Sequence, residues 1–122
     1  MCIRDRFKDH LAYTISKYGM SFCVLGLAAE LSKDKIAVNA LWPQTSIDTA
    51  AVRNLLGGDQ LAKKSRTPRI VSAAALEIVT TPSDSLTGQF LIDEAFLKSR
   101  GKTDFDSYSI EPGAELQSDF FL

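Results

Sequence analysis

The segment of residues 13–31, in which nearly every position is apolar or small, restricts the fold of this chain more than any other sequence feature. Its composition predicts a helix over about residues 10–32, and a helix without a polar stripe belongs in a protein interior or in an interface. Small residues such as Gly19 and Gly26 lower helix propensity, but they allow another backbone to approach closely. We therefore expect a buried core helix, with an added oligomer contact as the alternative.

A short apolar run follows this helix after a polar break. Residues 36–42 read Ile-Ala-Val-Asn-Ala-Leu-Trp, and Pro43 ends the run. A nearly continuous apolar run is typical of a strand that is covered on both faces, as in a parallel sheet. A second helix over residues 69–80 and a second strand over residues 88–93 repeat the pattern. This alternation of helices and strands predicts an α/β fold.

The region between the first strand and the second helix has a weaker pattern. Residues 49–56 are compatible with a helix that ends at Gly57 and Gly58, and residues 63–66 are polar, which predicts that they are exposed. A segment of this kind beside a sheet edge is either a mobile lid, over residues 50–69, or a surface loop. The predicted inward-facing side chains of the two helical segments are Ile47, Val52, Leu55 and Leu56 in the first and Ile70, Ala73, Ala74, Leu76 and Ile78 in the second.

Length and charge exclude several classes of protein. A chain of 122 residues is one domain at most, and 14 basic against 15 acidic side chains give a net charge of −1, which does not favour a nucleic-acid partner. One histidine and two cysteines argue against a metal site, and Cys23 is expected to be a buried thiol. No apolar run approaches the roughly 18 residues of a membrane span. The composition predicts a soluble, cytoplasmic protein, with a peroxisomal or mitochondrial location left open.

Tyr13 and Lys17 are the residues with the clearest chemical potential. Positions i and i+4 of a helix lie one above the other, so the Tyr13 phenol and the Lys17 ammonium share a face. An ammonium beside a phenol favours proton release, and such a phenol can pass a proton to or from a hydroxyl or carbonyl oxygen. The pattern alone is weak, because a packed tyrosine and a solvated lysine at this spacing are common.

Three motifs in order make the pattern specific. Tyr13-Thr14-Ile15-Ser16-Lys17 opens the helix, Val38-Asn39-Ala40-Leu41-Trp42-Pro43 lies on the following strand, and Thr87-Gly88-Gln89-Phe90-Leu91-Ile92-Asp93 forms the last strand. Together they resemble the short-chain dehydrogenase/reductase family over about residues 7–93. Residues 18–21, 39–43 and 116–122 indicate a narrower group within that family.

The resemblance implies roles for individual residues. Tyr13 matches the family's acid/base tyrosine, and Lys17 matches the lysine that assists it and hydrogen-bonds the nicotinamide ribose. Pro43 matches the proline that leads into the loop under the nicotinamide. Ile47 and Thr49 fall near positions whose backbone or hydroxyl contacts the carboxamide and phosphates. The implied cofactor is NAD(H) or NADP(H), and no metal is implied.

The chain also departs from the family pattern. Gln44 replaces a glycine after Pro43, the Ile-x-Thr step comes one residue late, and Glu94 replaces a glycine after Asp93. The family's glycine-rich dinucleotide turn and its catalytic serine precede the tyrosine, and this chain contains no Gly-x-x-x-Gly-x-Gly. We therefore expect the C-terminal half of a Rossmann-like doubly wound parallel sheet, truncated on its N-terminal side. In this division residues 7–97 belong to that domain, residues 98–122 are a C-terminal extension, and residues 1–6 are non-native.

The function that follows is hydride transfer between a nicotinamide and a carbonyl or secondary alcohol in a longer parent protein, with the 122-residue chain inactive by itself. The implied partners are a small-molecule carbonyl or alcohol substrate and further copies of the parent in a homo-oligomer. Two alternatives stay open. One is a non-catalytic pseudoenzyme that acts in oligomer contact, and the other is an epimerase or dehydratase that shares the Tyr-x-x-x-Lys motif.

Overall fold

The computed structural model describes residues 8–119, and residues 1–6, which the sequence predicts to be non-native, lie outside this range. Helices and strands alternate along the chain, as the sequence predicts. The regular elements are α1 (Leu11–Glu30), β1 (Ala40–Trp42), α2 (Gly58–Lys63), α3 (Arg69–Thr80), β2 (Phe90–Ile92) and α4 (Asp93–Ser99). Short 3₁₀ turns lie at Ser32–Asp34 and Asp106–Tyr108, and a π-helical turn lies at Val52–Leu56.

Strands β1 and β2 are neighbours in one sheet. The Gly88 N–H donates to the Val38 carbonyl at 2.8 Å, and the Ala40 N–H donates to the Gln89 carbonyl at 2.9 Å. The pairing therefore advances in the same direction along both strands, which makes the sheet parallel. The predicted α/β class with a parallel sheet is confirmed.

Both strands are shorter than predicted because side chains replace backbone groups at their N-terminal ends. The Val38 N–H donates to Thr87 Oγ1 at 3.1 Å. The Asn39 side-chain amide donates to the Leu86 carbonyl at 2.9 Å and accepts from the Gln89 N–H at 3.0 Å. Asn39 thus ties the two segments together where a regular backbone ladder is absent, and regular pairing begins only at Ala40.

One compact unit comprises residues 8–40 and Thr81–Phe90. Within it, α1 buries one narrow arc, made by Thr14, Ser21, Val24 and Ala28. Gly88 has a φ of +69°, a conformation that L side chains rarely adopt, and a Cβ there would stand 3.5 Å from the Ala28 Cβ. Cys23 lies outside the buried arc and is exposed, so the expectation of a buried thiol was wrong.

The other unit comprises Leu41–Thr80 and residues 91–119. Its α3 has the predicted bounds and packs against α4. Ile70 and Ala74 are fully buried, whereas Leu76, which was expected to face inward, is exposed. The remaining buried apolar side chains of this unit come from separate elements and loops: Val52, Ala62, Phe96, Leu97, Phe105 and Tyr108.

The segment between β1 and α3 differs most from expectation. Val52 is buried, but Leu55 and Leu56 point into solvent. Gly57 follows the π-helical turn, where a Cβ would lie only 2.6 Å from the Leu61 Cβ, so the close approach of α2 requires glycine. Helix α2 then begins at Gly58, which the sequence assigned to a helix end.

Residues 63–66 are only partly exposed. Lys63 and Lys64 are exposed, as predicted, whereas Ser65 and Arg66 are buried. Arg66 forms β-bridges with Ile47 and Ser109, which bring its backbone into the interior. The prediction of exposure was therefore wrong for these two residues, because their partners are distant in sequence.

Candidate functional site

Tyr13 and Lys17 lie on the first turns of α1. The Lys17 Nζ stands 5.4 Å from the centroid of the Tyr13 ring, within the range of a cation–π contact. Tyr13 is 53% exposed. The shared face predicted from their spacing is therefore present, and a cation lies beside an accessible phenol.

Local hydrogen bonds fix the start of this helix. The Thr14 N–H donates to the His10 carbonyl at 2.9 Å, and Ser16 Oγ donates to the Tyr13 carbonyl at 2.7 Å. Thr14 is buried directly beside Tyr13 in sequence, and its hydroxyl has no hydrogen-bond partner within residues 8–119. One turn of helix thus holds a buried threonine and an exposed tyrosine at adjacent positions.

The loop after β1 contains Pro43, Ile47 and Thr49. Ser46 and Asp48 of this loop form backbone hydrogen bonds with two other segments of the chain. The Ser46 N–H donates to the Gln117 carbonyl at 2.9 Å, and the Asp48 N–H donates to the Arg66 carbonyl at 2.8 Å. Thr49, which is exposed, accepts the Val52 N–H on its Oγ1 at 3.3 Å. The loop is therefore held in an extended form that leads into the π-helical turn.

Ile47 has a defined backbone orientation. Its neighbours Ser46 and Asp48 make the bonds to Arg66, since the Arg66 N–H donates to the Ser46 carbonyl at 3.0 Å and the Arg66 carbonyl accepts from Asp48. In such a parallel bridge, the central residue directs its own N–H and C=O away from the partner strand. The Ile47 N–H is thus directed away from the segment that holds the loop.

The five predicted site residues fall into two sets. Tyr13 and Lys17 meet on α1 in the first unit, and Pro43, Ile47 and Thr49 share one loop in the second unit. Their roles toward a cofactor or a substrate stay predictions. Within residues 8–119 no group of three or more histidine, cysteine and acidic side chains could hold a metal ion. No helix in the described part of the chain is long and apolar enough to cross a membrane.

Sequence reasoning gave no role to Asp93, which directly follows β2. This residue is 1% exposed. Its Oδ1 accepts the Gln44 N–H at 2.8 Å and the Glu94 N–H at 2.6 Å. Burial raises the pKa of the Asp93 carboxyl above its ordinary value, against the lowering effect of these two hydrogen bonds. An aspartate directly after a short apolar run is the sequence signal that could have found it.

A partly buried carboxylate, that of Glu94, lies next to Asp93 in sequence. The Glu94 carboxylate pairs with the Arg66 guanidinium and, at 2.5 Å, with the Lys98 ammonium. Burial by itself would raise the pKa of Glu94, but the hydrogen bonds and charges of Lys98 and Arg66 outweigh it and hold that pKa below its ordinary value. The Arg66 guanidinium and Lys98 ammonium also lie over the Phe105 ring, at 5.6 Å and 5.4 Å from its centroid.

Comparisons with known proteins agree with the motifs. The chain is 55% identical to hydroxysteroid dehydrogenase-like protein 2 of Danio rerio over 116 residues, which are 95% of this chain and 27% of that relative. Its fold is similar to a crystal structure described as a dehydrogenase from Xanthomonas campestris, with a TM-score of 0.88 and 40% identity over all of this chain and 44% of that one.

A second solved structure, a short-chain dehydrogenase from Mycobacterium thermoresistibile, matches with a TM-score of 0.80 and 44% identity over 90% of this chain and 39% of its own length. No protein-family model matches the chain. Residues 18–21, 39–43 and 116–122 indicated similarity to a narrower group, and the similarity to hydroxysteroid dehydrogenase-like protein 2 confirms that prediction. The chain spans about a quarter of the length of this curated relative.

Proposed function

We propose that the longer protein containing this segment, here called the parent protein, is an NAD(P)-dependent oxidoreductase of the short-chain dehydrogenase/reductase type, the type of protein to which the segment is similar. It transfers hydride between the nicotinamide of NAD(H) or NADP(H) and a carbonyl or secondary alcohol carbon. The observation that supports this most strongly is the exposed Tyr13 phenol with the Lys17 ammonium 5.4 Å from its ring centroid. The substrate is a small to medium-sized carbonyl or hydroxyl compound.

In this proposal Tyr13 gives a proton to the substrate oxygen during reduction and takes one from it during oxidation. A positioned phenol within hydrogen-bond reach of that oxygen is a general acid or base. The same face of α1 holds the Lys17 ammonium beside that phenol. The bound nicotinamide supplies or accepts the hydride, and the protein contributes position and electrostatics.

Each unit by itself carries residues whose chemistry fits the nicotinamide end of such a cofactor. Lys17 offers an ammonium donor for ribose hydroxyls beside Tyr13. Ile47 has its N–H directed away from the Arg66 segment, so that this donor is not used in the bridge. Pro43 and Thr49 lie at the two ends of the same loop. The chain has no glycine-rich turn for the pyrophosphate, and we propose that the rest of the parent protein supplies that contact.

Isotope transfer tests this function directly. The parent protein is incubated with NAD⁺ or NADP⁺ and a panel of secondary alcohols deuterated at the carbinol carbon, from small alcohols to lipid-like ones. We expect deuterium to appear on the nicotinamide with at least one alcohol. Reduced nicotinamide without deuterium, or no reduction by any alcohol or of any matching ketone, would contradict hydride transfer.

The second candidate function is assembly, and one observation favours it. On α1 the side chains of residues 11, 15, 18, 22 and 25 follow alternating steps of four and three, and all of them are exposed. This spacing places them along one side of the helix as an apolar stripe, the pattern of a helix-packing seam. We propose that a second copy of the parent protein covers the stripe.

Sedimentation of the parent protein tests the assembly. Phe22 lies in the middle of the stripe and is 69% exposed, so Phe22→Glu places a charge in the seam and should lower the molar mass. Leu55 lies on the π-helical turn and is 82% exposed, so Leu55→Glu is the matched control and should leave the mass unchanged. A Phe22→Glu protein with the wild-type mass would remove α1 from the interface.

A further inference from the structure

The carboxylate of Asp93 connects the end of one strand to the end of its neighbour. Asp93 directly follows β2, and Gln44 is the second residue after β1. Because Pro43 has no N–H, the Gln44 N–H is the first backbone donor of the loop that contains Ile47 and Thr49. Asp93 Oδ1 accepts this N–H at 2.8 Å across 49 residues of sequence.

The same oxygen also accepts the Glu94 N–H at 2.6 Å, at the start of α4. Asp93 thus binds two main-chain donors, one on its own helix and one on the loop. Within the described residues its second oxygen, Oδ2, is buried and has no hydrogen-bond partner. Hydrogen bonds to a charged acceptor are about twice as strong as those between neutral groups.

A buried carboxylate at position 93 is unfavourable for the stability of the folded state. Burying a charged group is unfavourable unless it is paired, and Arg66, whose charge lowers the pKa of Asp93, forms its ion pair with Glu94 instead. A serine would satisfy the helix N–H at lower cost, but its hydroxyl is shorter than a carboxylate and would not also reach Gln44. The longer aspartate side chain therefore reaches the Gln44 N–H of the loop as well as the Glu94 N–H of the helix.

We infer that Asp93 is a positioning residue for nicotinamide binding: by holding the Gln44 N–H it fixes the loop so that the Ile47 N–H is presented to the carboxamide end of the cofactor. This inference rests on the proposed function. The loop is also bound by the Ser65–Arg66 segment and by residues 117–119, and the Asp119 N–H donates to the Gln44 carbonyl at 3.1 Å. Loss of Asp93 therefore leaves the Gln44 N–H without its acceptor while the Gln44 carbonyl stays bound.

Two variants separate the loop contact from the helix contact. Asp93→Ser keeps an acceptor for the Glu94 N–H and loses the one for Gln44. Asp93→Asn is nearly the same size and keeps an acceptor for both. The probes are NADH, NADPH and ADP-ribose, the last of which lacks the nicotinamide. Their dissociation constants for the parent protein are measured by calorimetry, with the more tightly bound of the two reduced cofactors as the reference.

We expect Asp93→Ser to weaken binding of the reduced cofactor roughly ten-fold, the scale of one lost hydrogen bond to a charged group. ADP-ribose binding should stay unchanged, and Asp93→Asn should restore wild-type affinity. A merely structural role would weaken both probes together. Equal losses for both probes, unchanged affinity in Asp93→Ser, or failure of Asp93→Asn to restore binding would each overturn the inference. If the wild-type parent binds neither NADH nor NADPH, the proposed function itself fails.

Discussion

Glu94→Gln is the substitution whose effect on stability follows most directly from the structure. The Glu94 carboxylate is shared by two cations in very different surroundings. The Arg66 side chain is 7% exposed, whereas the Lys98 side chain is 58% exposed. Removing the charge from Glu94 therefore leaves the Arg66 guanidinium buried without its counter-ion.

The expected cost is large for the buried pair and small for the exposed one. Breaking a buried ion pair by removing one partner costs about 3–5 kcal/mol. Glutamine still accepts one hydrogen bond, and Arg66 keeps its contact with the Phe105 ring, so we expect the lower end, about 3 kcal/mol. Lys98→Gln removes only the exposed partner, and such a helix pair contributes about 0.3–0.5 kcal/mol.

Hydrogen exchange in the parent protein measures the difference locally. At neutral pH, Glu94→Gln should speed exchange in α4 and in residues 64–67 by about two orders of magnitude, the equivalent of about 3 kcal/mol. Lys98→Gln is the matched control, since it alters the same ion-pair network at its solvent side, and should change exchange by about two-fold. Equal protection in the two variants would refute the claim that the buried Arg66–Glu94 pair stabilises this unit.

The pH dependence has a definite sign. Because the pKa of Glu94 is held below its ordinary value in the folded protein, the folded state favours the ionised form. The stabilisation is therefore complete above the ordinary carboxyl pKa and is lost as the pH falls through the lower folded value. Wild type and Glu94→Gln should converge in protection over that acidic range, and a difference that persists below it would contradict the assignment.

Three further predictions follow from other residues. Lys17→Met should weaken NADH or NADPH binding to the parent protein roughly ten-fold in calorimetry, whereas Lys33→Met on the following 3₁₀ turn should not, because only Lys17 lies beside Tyr13. Asp93→Asn should raise the free energy of unfolding at neutral pH in a denaturant titration, because burial raises the pKa of that carboxyl and its ionised form is therefore disfavoured by folding. The 122-residue chain alone should bind neither cofactor tightly, because it lacks a glycine-rich turn for the pyrophosphate. It should self-associate in sedimentation, because Phe22 and Leu25 are exposed. Micromolar cofactor binding by a folded monomer would contradict this prediction.

Local sequence pattern predicted the elements whose structure depends on local preference. Helix α3 has the bounds that its apolar period indicates, and α1 lies within the predicted range. The i, i+4 spacing of Tyr13 and Lys17 likewise places them together, because helical geometry alone fixes that distance.

What the sequence did not predict depends on contacts between distant segments. The strands are shortened because Asn39 and Thr87 use side chains to bind backbone groups about 50 residues away. Arg66 is buried because its partners, Ile47 and Glu94, approach it from elsewhere in the chain. Cys23 is exposed because the buried arc of α1 is made by Thr14, Ser21, Val24 and Ala28, and position 23 lies outside it.

The same reason explains why Asp93 was assigned no role. Its position after the last strand is visible in the sequence, but its hydrogen bond to the Gln44 N–H depends on the pairing of β1 with β2, which brings the two residues together. A periodic pattern predicts which face of an element is apolar. It does not predict which buried carboxylate accepts which backbone donor.

The rate of hydride transfer in Tyr13→Phe tests the central claim most directly. Phenylalanine keeps the ring and its packing on α1 and removes only the hydroxyl that handles the proton. With an alcohol that the wild-type parent oxidises, single-turnover formation of reduced nicotinamide should slow by about two to four orders of magnitude, the scale of general acid/base catalysis. Tyr18→Phe, one position after Lys17 and on a different face of the helix, should keep the wild-type rate. A folded, cofactor-binding Tyr13→Phe protein that transfers hydride at the wild-type rate would contradict the account.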